Sequence, residues 1–181
     1  MSFFSKTYTT KSHQEVIIRQ ALSDDASPLL ELKLQYLENT KTLPLFKEEY
    51  PNDIDQEREM IERYQSEKNS LLLVATFEDK VIGNIDLTGS WRKKIQHTAM
   101  IGMGIHPKWQ HQGIGTLLIK NAIDWAKENE VLKIIWLEVY KTNTSGIALY
   151  KKMKFLESGY IPNFFLEKGT YIDKITMFRK L

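Results

Sequence analysis

No cysteine occurs anywhere in the 181 residues. That excludes disulfides, thiolate metal ligands and a cysteine nucleophile, and it suits a reducing cytoplasm, the expected location. No apolar run approaches the roughly 18 residues that a membrane span requires. The N-terminal MSFFSKTYTTKSHQE also lacks the apolar core of a secretory signal. An excess of one charge is missing too, with 25 basic against 23 acidic residues. Without a clustered basic stripe there is no nucleic-acid footprint, so neither nucleic acid nor a membrane is expected as a partner. No H-E-x-x-H spacing points to a metal, and no G-x-S-x-G elbow points to serine hydrolysis. Internal repeats, low-complexity tracts and convincing linkers are also absent.

What is present is a chain with 42% hydrophobic and 11% aromatic residues, enough for one ordinary domain over residues 1–181. Residues up to about Gln14 are polar and read as a loose arm. Val16–Ala21 is rich in β-branched residues and reads as a strand. A helix follows with apolar positions Leu29, Leu30, Leu32, Leu34 and Leu37, then a loop with Pro44 and Pro51, then a charged helix near 54–66 expected on the surface. Leu71–Phe77 and Val81–Leu87 form a hairpin, and a basic loop carrying Trp91 leads to a strand at Thr98–Ile105. A helix after Gly113 crosses over to a strand at Lys133–Tyr140, which makes those two strands parallel. A short helix from about Ser145 to Lys154, capped near Asn143, precedes two closing strands separated by Gly169. The expectation is a mixed α/β (α+β) fold: a largely antiparallel sheet of about seven strands, about four helices and a central parallel crossover.

The chain is organised around Ile101–Lys120, IGMGIHPKWQHQGIGTLLIK. A strand delivers a glycine-bearing turn to a helix N-terminus, where unpaired N–H groups and the helix dipole favour an anion. The dinucleotide fingerprint would need a glycine at Leu118, and a Walker A loop would need a lysine after its last glycine; neither is present. A lone Gly-x-Gly is as readily an ordinary tight turn, so context has to decide.

That context is a resemblance. Ile105-His106-Pro107-Lys108-Trp109-Gln110-His111-Gln112-Gly113-Ile114-Gly115-Thr116 is similar to motif A of the GCN5-related N-acetyltransferases (GNAT). Leu137-Glu138-Val139 followed by Asn143, and Ile147-Ala148-Leu149-Tyr150 running to Phe155, resemble two later motifs of the family in its order and spacing. Lys154 stands where the family usually has a glycine that caps the helix. A weaker likeness in the tail is to small bacterial acetyltransferases of amines and amino acids.

The resemblance implies acetyl-CoA as cosubstrate and no metal. The amides of Gln112, Gly113, Ile114, Gly115 and Thr116 would cradle its pyrophosphate, with Gln110 and His111 flanking the entry. Met103 and Ile105 would offer backbone groups to the pantetheine arm between splayed strands. Gly102 and Gly104 would suit a close approach there, although a bulge would explain them equally. Asn143 would touch pantetheine or an ordered water, or cap its helix, or both. Tyr150 would be the general acid that protonates the departing CoA thiolate. An alkyl ammonium must also lose a proton before it attacks. Asp86 and Glu138, near strand centres, are the candidate bases; His97 and His106 are weaker ones. Tyr36, Phe46, Tyr50 and Trp91 are candidate pocket walls. The implied reaction is direct acetyl transfer to a primary amine of a small molecule or peptide in a ternary complex, in a protein that could be a homodimer. A non-catalytic acyl-CoA sensor of the same fold is the alternative.

Overall fold

In the computed structural model, residues 5–181 are described, and within them one sheet carries all the strands. The strands are β1 (Lys6–Thr9), β2 (Glu15–Gln20), β3 (Leu71–Phe77), β4 (Lys80–Gly89), β5 (Thr98–Ile105), β6 (Ile134–Tyr140), β7 (Leu156–Glu167) and β8 (Thr170–Lys180). The helices are α1 (Ala26–Asn39), α2 (Ile54–Ser66), α3 (Ile114–Glu128) and α4 (Thr144–Lys152). The sheet order is β1-β2-β3-β4-β5-β6-β8-β7, antiparallel except where β6 joins β5 in parallel. α3 makes that crossover, as the sequence requires.

The sheet has eight strands rather than about seven, because part of the expected loose arm is β1. β1 pairs antiparallel with β2, and Tyr8 donates a 2.9 Å hydrogen bond to Asn121 on α3. Residues 1–4 of that arm lie outside the described residues. Four polar residues gave no period to read, and tertiary pairing supplied the strand.

β3 explains the layering. Its apolar run LLLVATF is buried on both faces, as an unbroken run should be. Leu71, Leu73 and Ala75 pack with α3 residues such as Leu118, Ile119 and Ala122, while Leu72 and Val74 pack with Leu29, Leu32 and Ile61 of α1 and α2. Burying one such Leu or Ile side chain contributes roughly 1.5–3 kcal/mol. The charged helix α2 does not simply lie on the surface. Glu57, Ile61 and Tyr64 recur at helical spacing and are buried against the sheet.

Cross-strand partners share a face, so Asp86 lies beside Gly102, and Thr88 beside Met100, on the α1/α2 face. Met100 in turn pairs with Trp136, and there the β5–β6 ladder ends. β5 continues to Ile105 and β6 to Tyr140 without pairing with each other, each still paired on its other side. The two strands therefore part, and the wedge between them opens at the end where α3 begins.

Candidate active site

Three elements converge on the wedge between β5 and β6. The first is the turn into α3. Gly113 is its N-cap at φ 92°, a left-handed conformation that glycine adopts without a Cβ penalty, and a Cβ there would meet nothing within 4 Å. Gly115 has a different reason: a Cβ would stand 3.2 Å from both Ile105 and Leu149, so it lets the helix sit close to β5 and α4. The first turn of α3 holds no acidic residue to compete with an anion. Gln110 donates its side-chain amide to the Ile105 carbonyl at 3.3 Å, tying the turn to the end of β5. The Lys11 N–H reaches the Gln112 carbonyl at 3.2 Å, so the N-terminal segment braces the same turn. His106 Nδ1 accepts from the Lys108 N–H at 3.1 Å and serves the local turn, not the wedge.

The second element is α4. Asn143 is its N-cap and accepts the Gly146 N–H at 2.9 Å, so the capping role is the one its side chain performs here. At the other end Lys154 takes φ 63°, the left-handed conformation that glycine would adopt. The Lys154 N–H reaches the Lys151 carbonyl and the Phe155 N–H reaches the Tyr150 carbonyl at 3.0 Å, which is the Schellman pattern. Its usual apolar contact is Phe155 edge-on to Tyr150, with centroids 5.8 Å apart. Lys154 thus keeps the geometry of the missing glycine, at some strain, and the closure of the helix orients Tyr150. The Tyr150 hydroxyl has no hydrogen-bond partner among the described residues. Burial first, and then the charge of Asp86, push its pKa up to about 12.

The third element is β4. Asp86 Oδ2 accepts from Thr88 Oγ1 at 3.0 Å and from the Tyr64 hydroxyl at 3.3 Å. A Cβ at Gly102 would lie 2.5 Å from Asp86 Oδ1, and one at Gly104 would overlap the Tyr36 ring. Gly102 and Gly104 therefore make room for Asp86 and Tyr36 of this chain itself, and no bulge is needed to explain them. Burial pushes the Asp86 pKa up to about 6, against the lowering effects of Thr88, Lys33, Tyr64 and the Gly102 N–H. Burial, then the charge of Asp86, also raises Tyr36 and Tyr64. A carboxylate that titrates near 6 is largely ionised at neutral pH yet is a much better base than an ordinary one.

Asp86 and Tyr150 are thus brought into each other's field, whereas Glu138 is occupied elsewhere. Its Oε1 lies 2.7 Å from Lys174 Nζ, which in turn sits 3.7 Å from the centroid of Phe164. His97 precedes β5, at the end of the strand away from the wedge. Trp91 is at that same far end, 88% exposed, and is no pocket wall. Phe46 and Tyr50 do line a cavity of about 490 Å³, with Leu34 and Leu37 of α1 and with Glu167 and Lys168 at the β7–β8 turn. The cavity does not reach Asp86 or Tyr150. Tyr50 links the two regions, since its hydroxyl accepts from Lys33 at 2.9 Å and donates to Glu57 at 2.7 Å. Lys33 and Glu57 form a buried ion pair at 2.7 Å.

Tyr64, Thr88, Lys33 and Glu57 were not legible as site residues. The spacing of Glu57, Ile61 and Tyr64 could have shown a buried α2 face, but not what it faces.

The model of the acetyltransferase (GNAT) family matches residues 36–155, two thirds of the chain and all three converging elements. The chain belongs to the acetyltransferase (GNAT) family. It is similar to the L-amino acid N-acetyltransferase AaaT of Escherichia coli (strain K12), at 24% identity over 91% of this chain and 98% of that one. Its fold is that of a GNAT-family acetyltransferase from Streptococcus pneumoniae, with TM-score 0.89 and 24% identity over 92% of this chain and 99% of that one. It is also that of yncA from Salmonella typhimurium, a putative acetyltransferase solved with its cofactor acetyl-CoA, with TM-score 0.81 and 21% identity over 92% and 94% of the two chains. The activity class that goes with membership is N-acetyl transfer.

Proposed function

We propose that this GNAT member transfers an acetyl group from acetyl-CoA to a primary amine of a small molecule or peptide, by direct attack in a ternary complex. The observation that carries the reading is the parting of β5 and β6, with a base candidate on one side and an acid candidate on the other. The unpaired edge of β5 at Met103 and Ile105 offers backbone groups to an amide-bearing arm. The α3 turn from Gln112 to Thr116 offers N–H groups to a pyrophosphate. Gln110 and His111 flank that turn, and Asn143 stands at the start of α4, across the wedge. The acetyl-CoA of the similar yncA structure supports the donor, and the amino-acid acceptor of AaaT supports the acceptor class.

In this reading Asp86 takes the proton from the ammonium group. The free amine attacks the thioester carbonyl, the C–N bond forms, and the C–S bond breaks. Tyr150 gives its phenolic proton to the leaving thiolate, the acetylated nitrogen sheds its second proton, which passes through solvent to the phenolate, and Asp86 releases its own to bulk water. A pKa of about 12 keeps Tyr150 protonated at neutral pH, but makes it a weak acid beside a thiol of about 8.5. The order of steps eases this. Once Asp86 is protonated its charge is gone, and one of the two causes that raise Tyr150 goes with it. Glu138 remains with Lys174. The absence of cysteine fits direct transfer, because no acyl-cysteine can form, and holding amine and thioester together supplies much of the rate.

The test is release of free thiol from acetyl-CoA over a panel of amino acids, peptides, polyamines and aminoglycosides. Saturable release with at least one amine is expected. Saturable acetyl-CoA binding with no release for any amine would point instead to a sensor.

A further inference from the structure

We propose that Tyr64 and Thr88 are positioning residues that decide which oxygen of Asp86 meets the acceptor. Thr88, held in turn by Tyr64, engages Oδ2, and Oδ1 lies against Gly102, whose N–H also favours the charged carboxylate, at the edge where β5 parts from β6. The inference rests on the reading of Asp86 as the base.

The geometry is a closed triangle. Tyr64 Oη lies 2.6 Å from Thr88 Oγ1, Thr88 Oγ1 lies 3.0 Å from Asp86 Oδ2, and Tyr64 Oη lies 3.3 Å from the same oxygen. Two hydroxyl protons serve three contacts. The two shorter contacts are satisfied by a directed chain, in which Tyr64 donates to Thr88 and Thr88 donates to Asp86. A carboxylate oxygen held this way is the poorer site for a proton, which leaves Oδ1, beside Gly102 of β5, as the oxygen for the acceptor. Gly102 is what permits this, since any Cβ there would occupy the place of Oδ1.

The clamp is anchored from two sides. Thr88 is two residues from Asp86 on the same strand and therefore on the same face. Tyr64 comes from α2, seven residues after Glu57 and on the same helix face. Glu57 in turn is held by Lys33 and Tyr50. The helix that carries Tyr64 is thus tied to α1 and to the wall of the neighbouring cavity, and the Tyr64 side chain is itself buried.

A carboxylate that loses a donor binds its proton more tightly, so loss of the clamp moves the Asp86 titration upward. The other charged or titratable groups acting on or around Asp86 are Lys33 and Tyr36 on α1, Glu57 on α2 and Tyr150 on α4. All of them remain in Thr88→Val, Thr88→Ser and Tyr64→Phe.

The experiment follows the Asp86 carboxyl band by infrared difference spectroscopy of the substrate-free enzyme across pH, taking Asp86→Asn as the blank. The acid limb of kcat/KM for the acceptor is measured in parallel. Thr88→Val is expected to raise the titration by roughly one pH unit, a tenfold change in proton affinity. Tyr64→Phe should raise it less, because it removes the outer donor of the chain, and Thr88→Ser should restore the wild-type value. Should Thr88→Val not fold, Tyr64→Phe against wild type carries the same test. A carboxyl titration unmoved in Thr88→Val and Tyr64→Phe would overturn the clamp, even if turnover fell. A carboxyl titration that moves while the acid limb stays fixed would leave the clamp standing and remove Asp86 as the base.

Discussion

Asp86 rests against Gly102: the place where a Cβ would stand lies 2.5 Å from Asp86 Oδ1. A half-buried carboxylate in mid-sheet therefore depends on a missing side chain in its cross-strand partner. The position of the candidate base and the shape of the wedge beside it are thus one decision, shared between β4 and β5.

Asp86→Asn separates chemistry from stability. The folded pKa is raised from 3.8 to about 6, so the native state binds this proton more tightly than the unfolded chain. Ionised Asp86 then costs stability, progressively as pH rises from about 4 to 6 and fully above it, on the order of 2–3 kcal/mol. Asp86→Asn should melt higher than wild type at pH 7.5 and show little difference near pH 4, while its turnover falls at least tenfold. The wild-type kcat/KM should lose activity below about pH 6. Calorimetry at the two pH values checks the first, and a pH–rate profile checks the second.

Tyr150→Phe should cut turnover by roughly ten- to a thousandfold, the scale of general acid catalysis, with acetyl-CoA affinity nearly intact. The phenol makes no hydrogen bond within the described chain, so its loss leaves no partner unpaired and stability should change little. Unchanged turnover would take Tyr150 out of the mechanism.

Gly104→Ala should destabilise the fold by about 1–3 kcal/mol, because the new methyl meets the Tyr36 ring. Tyr36 reaches from α1 to the sheet and packs against the α1/α2 core. Denaturant unfolding measures the effect, and a double variant with Tyr36→Ala should recover the part of the loss that is due to overlap.

Lys154→Gly should stabilise the protein by about 1 kcal/mol, because a left-handed residue with φ 63° loses its Cβ penalty. The Schellman bonds and the Phe155–Tyr150 contact stay in place, so turnover should be unaltered. A lower melting temperature would mean that the lysine side chain contributes more than its backbone strain costs.

Gly113→Asp should weaken acetyl-CoA binding, by adding negative charge at the helix N-terminus and a Cβ at φ 92°. Equilibrium titration with acetyl-CoA checks it, and equal affinity would remove the turn from the phosphate site.

By itself the sequence determined the elements and pointed to the turn proposed for the donor. Periodicity and turn residues are local, so the strands from β2 to β8, the four helices and the α3 crossover were legible, and the Gln112–Thr116 turn carries its chemistry in contiguous backbone. Lys154 was legible only as a departure from a capping glycine, and the structure showed that it keeps the left-handed cap. Tertiary structure decided which carboxylate is the candidate base. β1 became a strand only by pairing with β2, and α2 turned a buried face inward that its charge had masked. Asp86 and Glu138 looked alike in sequence, each a carboxylate in a strand. Burial raised the proton affinity of one, against the donors Tyr64, Thr88 and Gly102, and Lys174 engaged the other. Proton affinity in a fold is set by neighbours from distant parts of the chain, and no local spacing encodes them.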